Sequence, residues 1–241
     1  MIYQLNRATS DRQVICFPYL GGYANAFLKL AYTLEGSVEL WAANPPGHGG
    51  SRMQLVSDID VLIERYAEEV KKIIKPGCVF FGHSMGGTIA YYLTKRLMES
   101  GGKETCPKAV IISACGAPTS IRGVRYSNLP DDELIEQLTS YGAMPKEVLA
   151  EDDFIKMLTP VFRADYRILE SASRKDPSPL EVPTYLLWGE KDSAVSLDAI
   201  LQWKKYFKNS PIIWPIKGGD HMFVHSCVSE VAKCVEFSCA G

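Results

Sequence analysis

The sequence predicts an α/β fold: a mostly parallel sheet with helices on both faces and a helical insertion before its last strands. Three observations predict it. Short apolar runs recur along the chain and alternate with stretches of helical periodicity, as repeated strand–helix–strand crossovers require. One of these runs leads straight into the pentapeptide Gly82-His83-Ser84-Met85-Gly86. A long segment, residues 116–180, drops the alternation and carries helical patterns alone.

Taken in order, the first strand is expected at 13–17 and runs into the glycine-rich loop Pro18-Tyr19-Leu20-Gly21-Gly22. The second, 38–42, leads into the turn Pro45-Pro46-Gly47-His48-Gly49. Residues 58–75 repeat apolar side chains at Leu62, Tyr66, Val70, Ile73 and Ile74, which is helical spacing with Asp58 as N-cap. A third strand at 78–81 ends at the pentapeptide, and a helix from Thr88 to Met98 carries Ile89, Leu93 and Leu97 on one face. The fourth strand is 109–113. Three helices follow at 131–141, 146–158 and 163–173, punctuated by Pro130, Pro145, Pro160, Pro177 and Pro179. Strands at 184–188 and 212–214 complete the sheet, and an amphipathic helix at 226–237 closes the chain through Val228, Val231 and Val235. We read 1–241 as a single domain with a helical cap inserted at about 116–180, since this length buries one full core.

Composition excludes several classes. A net charge of −2, with 46% hydrophobic and 22% charged residues, fits a soluble globular protein and gives no hint of a nucleic-acid or anionic-membrane partner. No apolar run approaches the roughly 20 residues that cross a bilayer, and the first ten residues lack a signal-peptide pattern. Seven cysteines, an odd number without a C-x-x-C pair, suit a reducing compartment, so a cytoplasmic location and structural thiols are expected. No dimerisation element is visible, which leaves a monomer as the default, and nothing implies a cofactor.

The pentapeptide carries the chemistry. A strand ending in G-x-S-x-G and turning at once into a helix is the nucleophile elbow of an α/β-hydrolase. Ser84 must project from a tight, strained turn, where side chains at Gly82 or Gly86 would strike neighbouring backbone. The same turn aims the Met85 N–H at the position of a developing oxyanion. A second donor is expected from the loop after the first strand, Leu20 N–H or failing that Tyr19 N–H.

A serine hydroxyl needs a base within hydrogen-bond reach. Of the four histidines, His83 adjoins Ser84 and must diverge from it, so it reads as packing beside the elbow. His48 precedes the nucleophile and reads as turn structure or pocket wall. His221, in Gly218-Gly219-Asp220-His221, follows the last strand, where this fold places its base. His225 lies four residues on, but the pair lacks the glutamate and third ligand of a zinc site, so no metal is expected. The orienting carboxylate should follow a late strand, and Trp188-Gly189-Glu190-Lys191-Asp192 supplies Asp192. Glu190 lies closer to the strand end, and Asp220 is poorly placed to accept from the neighbouring ring. Ser84, Asp192 and His221 thus follow the Ser…Asp…His order of the fold.

With these motifs in place the chain resembles the external, type II thioesterases of non-ribosomal peptide and polyketide synthetases. The resemblance runs almost end to end. It rests on Phe17-Pro18-x-x-Gly21-Gly22, Pro45-Pro46-Gly47-His48-Gly49, Phe81-Gly82-His83-Ser84-Met85-Gly86-Gly87, Leu129-Pro130-Asp131-Asp132, Phe162-Arg163-x-Asp165-Tyr166, Gly189-x-x-Asp192 and His221-Met222-Phe223. Asp220 departs from the pattern, which often has glycine directly before the histidine. The resemblance implies hydrolysis of acyl groups from phosphopantetheine on acyl or peptidyl carrier proteins, editing misprimed synthetases through an acyl-enzyme on Ser84. It also implies a basic rim for an acidic carrier, with Arg163, Arg167, Arg174 and Lys175 as candidates, against the plainer reading of a solvated helix face. The alternatives are a medium-chain fatty-acyl thioesterase, a small-molecule carboxylesterase, transfer to an acceptor other than water, and a non-catalytic binding module on the same fold.

Overall fold

The computed structural model describes residues 1–102, 105–140 and 152–240. Seven strands, β1 (Ile2–Gln4), β2 (Gln13–Phe17), β3 (Glu39–Ala43), β4 (Val79–His83), β5 (Ala109–Ser113), β6 (Thr184–Gly189) and β7 (Ile212–Ile216), form one sheet in the order β1-β3-β2-β4-β5-β6-β7. Only β1 runs antiparallel. The order reverses direction between β2 and β4. A crevice outside the carboxyl ends of the strands is expected at such a switch point. The loop after β2 and the turn after β4 both lie there.

The strands are apolar on both faces because helices cover both. Val14, Cys16, Val79, Phe81, Ile111 and Leu187 pack against α1 (Leu28–Thr33) and the C-terminal helices. Their alternates Ile15, Phe17, Phe80, Val110, Ile112 and Leu186 pack against α2 (Ile59–Val70) and α3 (Met85–Glu99). This period of two is what a pleated strand imposes. The Asp58 side chain accepts from the N–H groups of Asp60 and Val61 at 2.9 and 3.3 Å and so caps α2, a contribution of about 1 kcal/mol.

Between β5 and β6 come α4 (Asp131–Ser140) and α5 (Asp152–Ser173). Leu134, Leu138, Phe162 and Tyr166 form a small core of their own, while Ile168 and Ala172, further along α5, join the main core. Then follow α6 (Leu197–Leu201), α7 (Phe223–Ser226) and α8 (Val228–Ala240).

The structure departs from the sequence reading in a few elements. The edge strand β1 and the six-residue α1 are additional, and α3 begins at Met85 rather than Thr88. The helix expected at 58–75 ends at Val70, and the one expected at 226–237 is two, broken at Cys227. The helices expected at 146–158 and 163–173 are continuous from Asp152, through Pro160; the start of the first, and Tyr141 at the end of the preceding one, lie outside the described residues. Pro160 removes one i→i−4 bond. The helix persists because Leu158, Phe162, Tyr166, Leu169 and Ala172 bury one stripe across that point.

Candidate active site

Ser84 stands between β4 and α3 at φ 52°, ψ −120°, a strained conformation for a residue with a Cβ. The turn closes through Ser84 N–H donating to the Ser113 carbonyl at 2.7 Å and Gly87 N–H donating to the Ser84 carbonyl at 2.8 Å. It tolerates no side chain at either glycine. A Cβ on Gly82 would lie 2.0 Å from the Gly86 carbonyl oxygen, and one on Gly86 would lie 1.9 Å from the Phe17 carbonyl oxygen.

Three loops bring the sequence-selected side chains together. His221 Nε2 lies 3.1 Å from Ser84 Oγ. Its Nδ1 lies 3.0 and 3.2 Å from the two carboxylate oxygens of Asp192. Asp192 Oδ1 also accepts from the N–H groups of Ala194 and Val195 at 2.8 and 2.9 Å, which fixes the fully buried carboxylate. An acceptor-only carboxylate facing Nδ1 requires the proton on that nitrogen, so the Nε2 lone pair of the neutral ring faces the Ser84 hydroxyl. Glu190 instead accepts from Gly218 N–H at 3.2 Å.

The other histidines have separate tasks. His83 is fully buried. A carbonyl only accepts, so His83 Nε2–H donates to the His221 carbonyl at 2.9 Å, and Nδ1 accepts from the Ser113 hydroxyl, also at 2.9 Å. Burial holds its pKa well below 6.5, which matches this neutral form. His48 is buried away from the cavity wall. It donates from Nδ1 to the Pro46 carbonyl at 3.1 Å and from Nε2 to Asp165 at 2.9 Å. Burial pulls its pKa down, but the Asp165 carboxylate and the carbonyls of Pro46 and Pro45 outweigh this and leave it raised. His225 Nε2 shares a hydrogen bond with Tyr19 Oη at 3.0 Å. Among the described residues no group of three His, Cys, Asp or Glu side chains converges as a metal site.

Ser84 and His221 open onto a cavity of ≈160 Å³ walled chiefly by apolar groups, among them Leu20, Met85, Ile121, Leu138 and Leu169. Met85 is the first residue of α3, so its N–H has no intrahelical acceptor. Among the described residues no acceptor takes the Leu20 N–H either. Two of the four cations expected at a rim are already engaged. Arg163 pairs with Asp131 and donates to the Ser127 carbonyl at 2.6 Å, and Lys175 pairs with Asp60 at 2.7 Å. Arg163 and Arg167 line a second groove with Lys156, Leu55 and Ser57. Sequence reasoning passed over His83 and Asp165 as site residues; their only signal was position inside the motifs quoted above.

A parallel sheet with an elbow serine at its switch point, and an Asp–His pair aimed at that serine, defines an α/β-hydrolase. The thioesterase domain family model matches residues 12–236, and the chain belongs to that family of thioester hydrolases. It is 27% identical over 231 residues to the gramicidin S biosynthesis protein GrsT of Aneurinibacillus migulanus, covering 94% of this chain and 87% of that one. It is 29% identical over 244 residues to the medium-chain S-acyl fatty acid synthase thioesterase of Homo sapiens, covering 94% and 88%. Among solved structures, ClbQ of the colibactin NRPS/PKS pathway superposes with a TM-score of 0.83 at 27% identity, covering 95% of this chain and 97% of that one.

Proposed function

We propose that this chain is a type II thioesterase that removes acyl groups from the phosphopantetheine arms of carrier proteins in peptide or polyketide synthetases. The observation that carries the reaction is the Ser84–His221–Asp192 relay facing an apolar chamber. As Ser84 Oγ attacks the thioester carbonyl, His221 Nε2 takes its proton. Asp192 stabilises the imidazolium that results. The carbonyl oxygen gains charge and is held by Met85 and Leu20 N–H groups. The carbon–sulfur bond breaks, and His221 returns the proton to the departing thiolate. Water, deprotonated by His221, then releases the acid and regenerates Ser84.

The synthetase assignment is supported by ClbQ, named from the colibactin NRPS/PKS pathway, and by GrsT, named for gramicidin S biosynthesis. The described residues of the segment 116–180, which exclude 141–151, serve as a cap, supported by Leu138, Tyr166 and Leu169 in the chamber wall. All seven cysteines are free thiols, which supports a reducing, cytoplasmic location. A second reading, a medium-chain fatty-acyl thioesterase, is favoured by the human relative and the apolar lining.

The test is acyl release from a loaded holo-carrier protein, with acyl-CoA and a soluble ester in parallel and Ser84→Ala as control. Faster release from the carrier, abolished by the substitution, is expected. A preference for medium-chain acyl-CoA over the carrier supports the second reading. Hydrolysis of the soluble ester alone overturns both.

A further inference from the structure

The loop that carries Leu20 is held at Tyr19 by His225 of α7 and at Gly21 by α5. Gly21 has φ +73°, and its N–H donates to Asp165 Oδ2 of α5 at 2.7 Å. The same oxygen accepts from His48 Nε2 at 2.9 Å. One turn earlier on α5, the Phe162 ring lies against the Gly21 α-carbon, so close that a Cβ there would stand 2.3 Å from Phe162 Cε1. The turn is closed by Gly22 N–H donating to the Tyr19 carbonyl at 2.8 Å. Asp165 is fully buried, and its Oδ1 has no hydrogen-bond partner among the described residues. A buried carboxylate with one oxygen unsatisfied is costly, and the two hydrogen bonds that Asp165 does accept, both on Oδ2, come from Gly21 and His48.

We propose that Asp165, paired with His48, is a positioning residue for the oxyanion loop, and that its grip on Gly21 sets the Leu20 N–H at the developing charge. Each peptide plane is rigid: Leu20–Gly21 carries the anchored Gly21 N–H, and Tyr19–Leu20 carries both the Leu20 N–H and the Tyr19 carbonyl that accepts from Gly22. Anchoring the Gly21 N–H while Gly22 closes the turn leaves the Leu20 N–H little freedom. Gly21 accommodates this geometry because it alone combines a positive φ with the Phe162 contact. Nothing in the relay requires the arrangement, so it acts through Leu20 and not on the substrate. This inference rests on the reading of Ser84 as nucleophile with Leu20 as a donor.

The experiment compares Asp165→Ala, Asp165→Asn and Asp165→Glu with the wild type on an acyl-pantetheine thioester. Titration with a fluorophosphonate fixes the active fraction of each preparation. An alkylboronic acid serves as tetrahedral-intermediate mimic. Asp165→Ala is expected to lower kcat about 10-fold or more, within the loss known for a compromised oxyanion donor, with KM within about twofold and boronate affinity falling in step with kcat. Asp165→Asn keeps an oxygen for Gly21 and is expected to restore most of kcat. Unchanged kcat in Asp165→Ala, or a change confined to KM, overturns the proposal.

If Asp165→Ala does not fold, the order of the other two decides. Asn above Glu supports positioning, because Glu keeps the charge but displaces the acceptor. Glu equal to or above Asn overturns it, since a charge pair alone would then suffice. Activity surviving in Ser84→Ala defeats the underlying reading of the site whatever Asp165 does.

Discussion

His83 follows Gly82 and precedes Ser84, yet its ring serves His221: it donates to the His221 carbonyl at 2.9 Å and accepts from Ser113 on the neighbouring strand at the same distance. The residue beside Ser84 therefore holds the backbone of the residue proposed as base. Replacing it with phenylalanine fills the space but strands a buried carbonyl and a buried hydroxyl. Loss of about 1–3 kcal/mol is expected for such unsatisfied groups. It should appear in the urea midpoint, together with reduced kcat, because the His221 loop loses its tether. A variant of wild-type stability and activity would show the bond to be dispensable.

Asp192→Asn isolates the tautomer argument. Its carboxylate takes two backbone N–H groups in addition to His221, so the loop has little reason to move on amidation. An amide NH₂ facing Nδ1 favours the tautomer with the proton on Nε2, which cannot accept from Ser84. A fall in kcat of about 10³–10⁴-fold is expected by analogy with such triads, with KM little changed. Glu190→Gln, whose carboxylate is engaged by Gly218, should stay within about twofold of wild type.

The His48–Asp165 pair makes stability depend on pH with a defined sign. The His48 pKa is raised in the folded protein, so its contribution is fully present below the unfolded value of about 6.5. It is lost as pH rises through the folded value. The stability advantage of wild type over His48→Gln should therefore shrink from pH 6 to pH 9. His83 contributes in the opposite direction. Its pKa is depressed, the unfolded chain takes up the proton first, and stability falls as pH drops below about 6.5. Urea titrations across this range check both; a gap between wild type and His48→Gln that does not vary with pH contradicts the ion pair.

Thiol chemistry should report burial residue by residue. Cys16, Cys78, Cys115, Cys234 and Cys239 are buried, whereas Cys106 and Cys227 are partly exposed. Burial pushes the thiols of Cys115 and Cys234 up to about 12 and that of Cys239 to about 11, which suppresses the reactive thiolate. A thiol reagent at pH 8 should modify Cys106 and Cys227 in the native protein and the other five only after unfolding. Rapid native labelling of Cys115, which lines the chamber, would require an opening of that wall.

Much of the central sheet was legible because its strands are buried on both faces and read as continuous apolar runs, such as QVICF at residues 13–17. The positions of Ser84, Asp192 and His221 were legible for a related reason. Each follows a strand, and a parallel sheet brings all such ends to one edge, so chain order alone predicts that they meet. The edge strand β1 was not legible: three residues, partly exposed, leave no pattern. Pro160 concealed the continuity of α5, since a local rule was overridden by tertiary burial. The Gly21–Asp165–His48 cluster left no periodic trace, because His48 and Asp165 lie 117 residues apart and meet only once α5 is in place.

One helix joins two regions of the molecule. Ile168 and Ala172 anchor α5 among the strands, Tyr166 and Leu169 wall the chamber, and Phe162 and Asp165 touch Gly21. Any displacement of α5 from Gly21 would break the Asp165 hydrogen bond and the Phe162 contact together. The chamber wall and the backbone next to Leu20 therefore share a support, and a substitution that displaces α5 disturbs both at once.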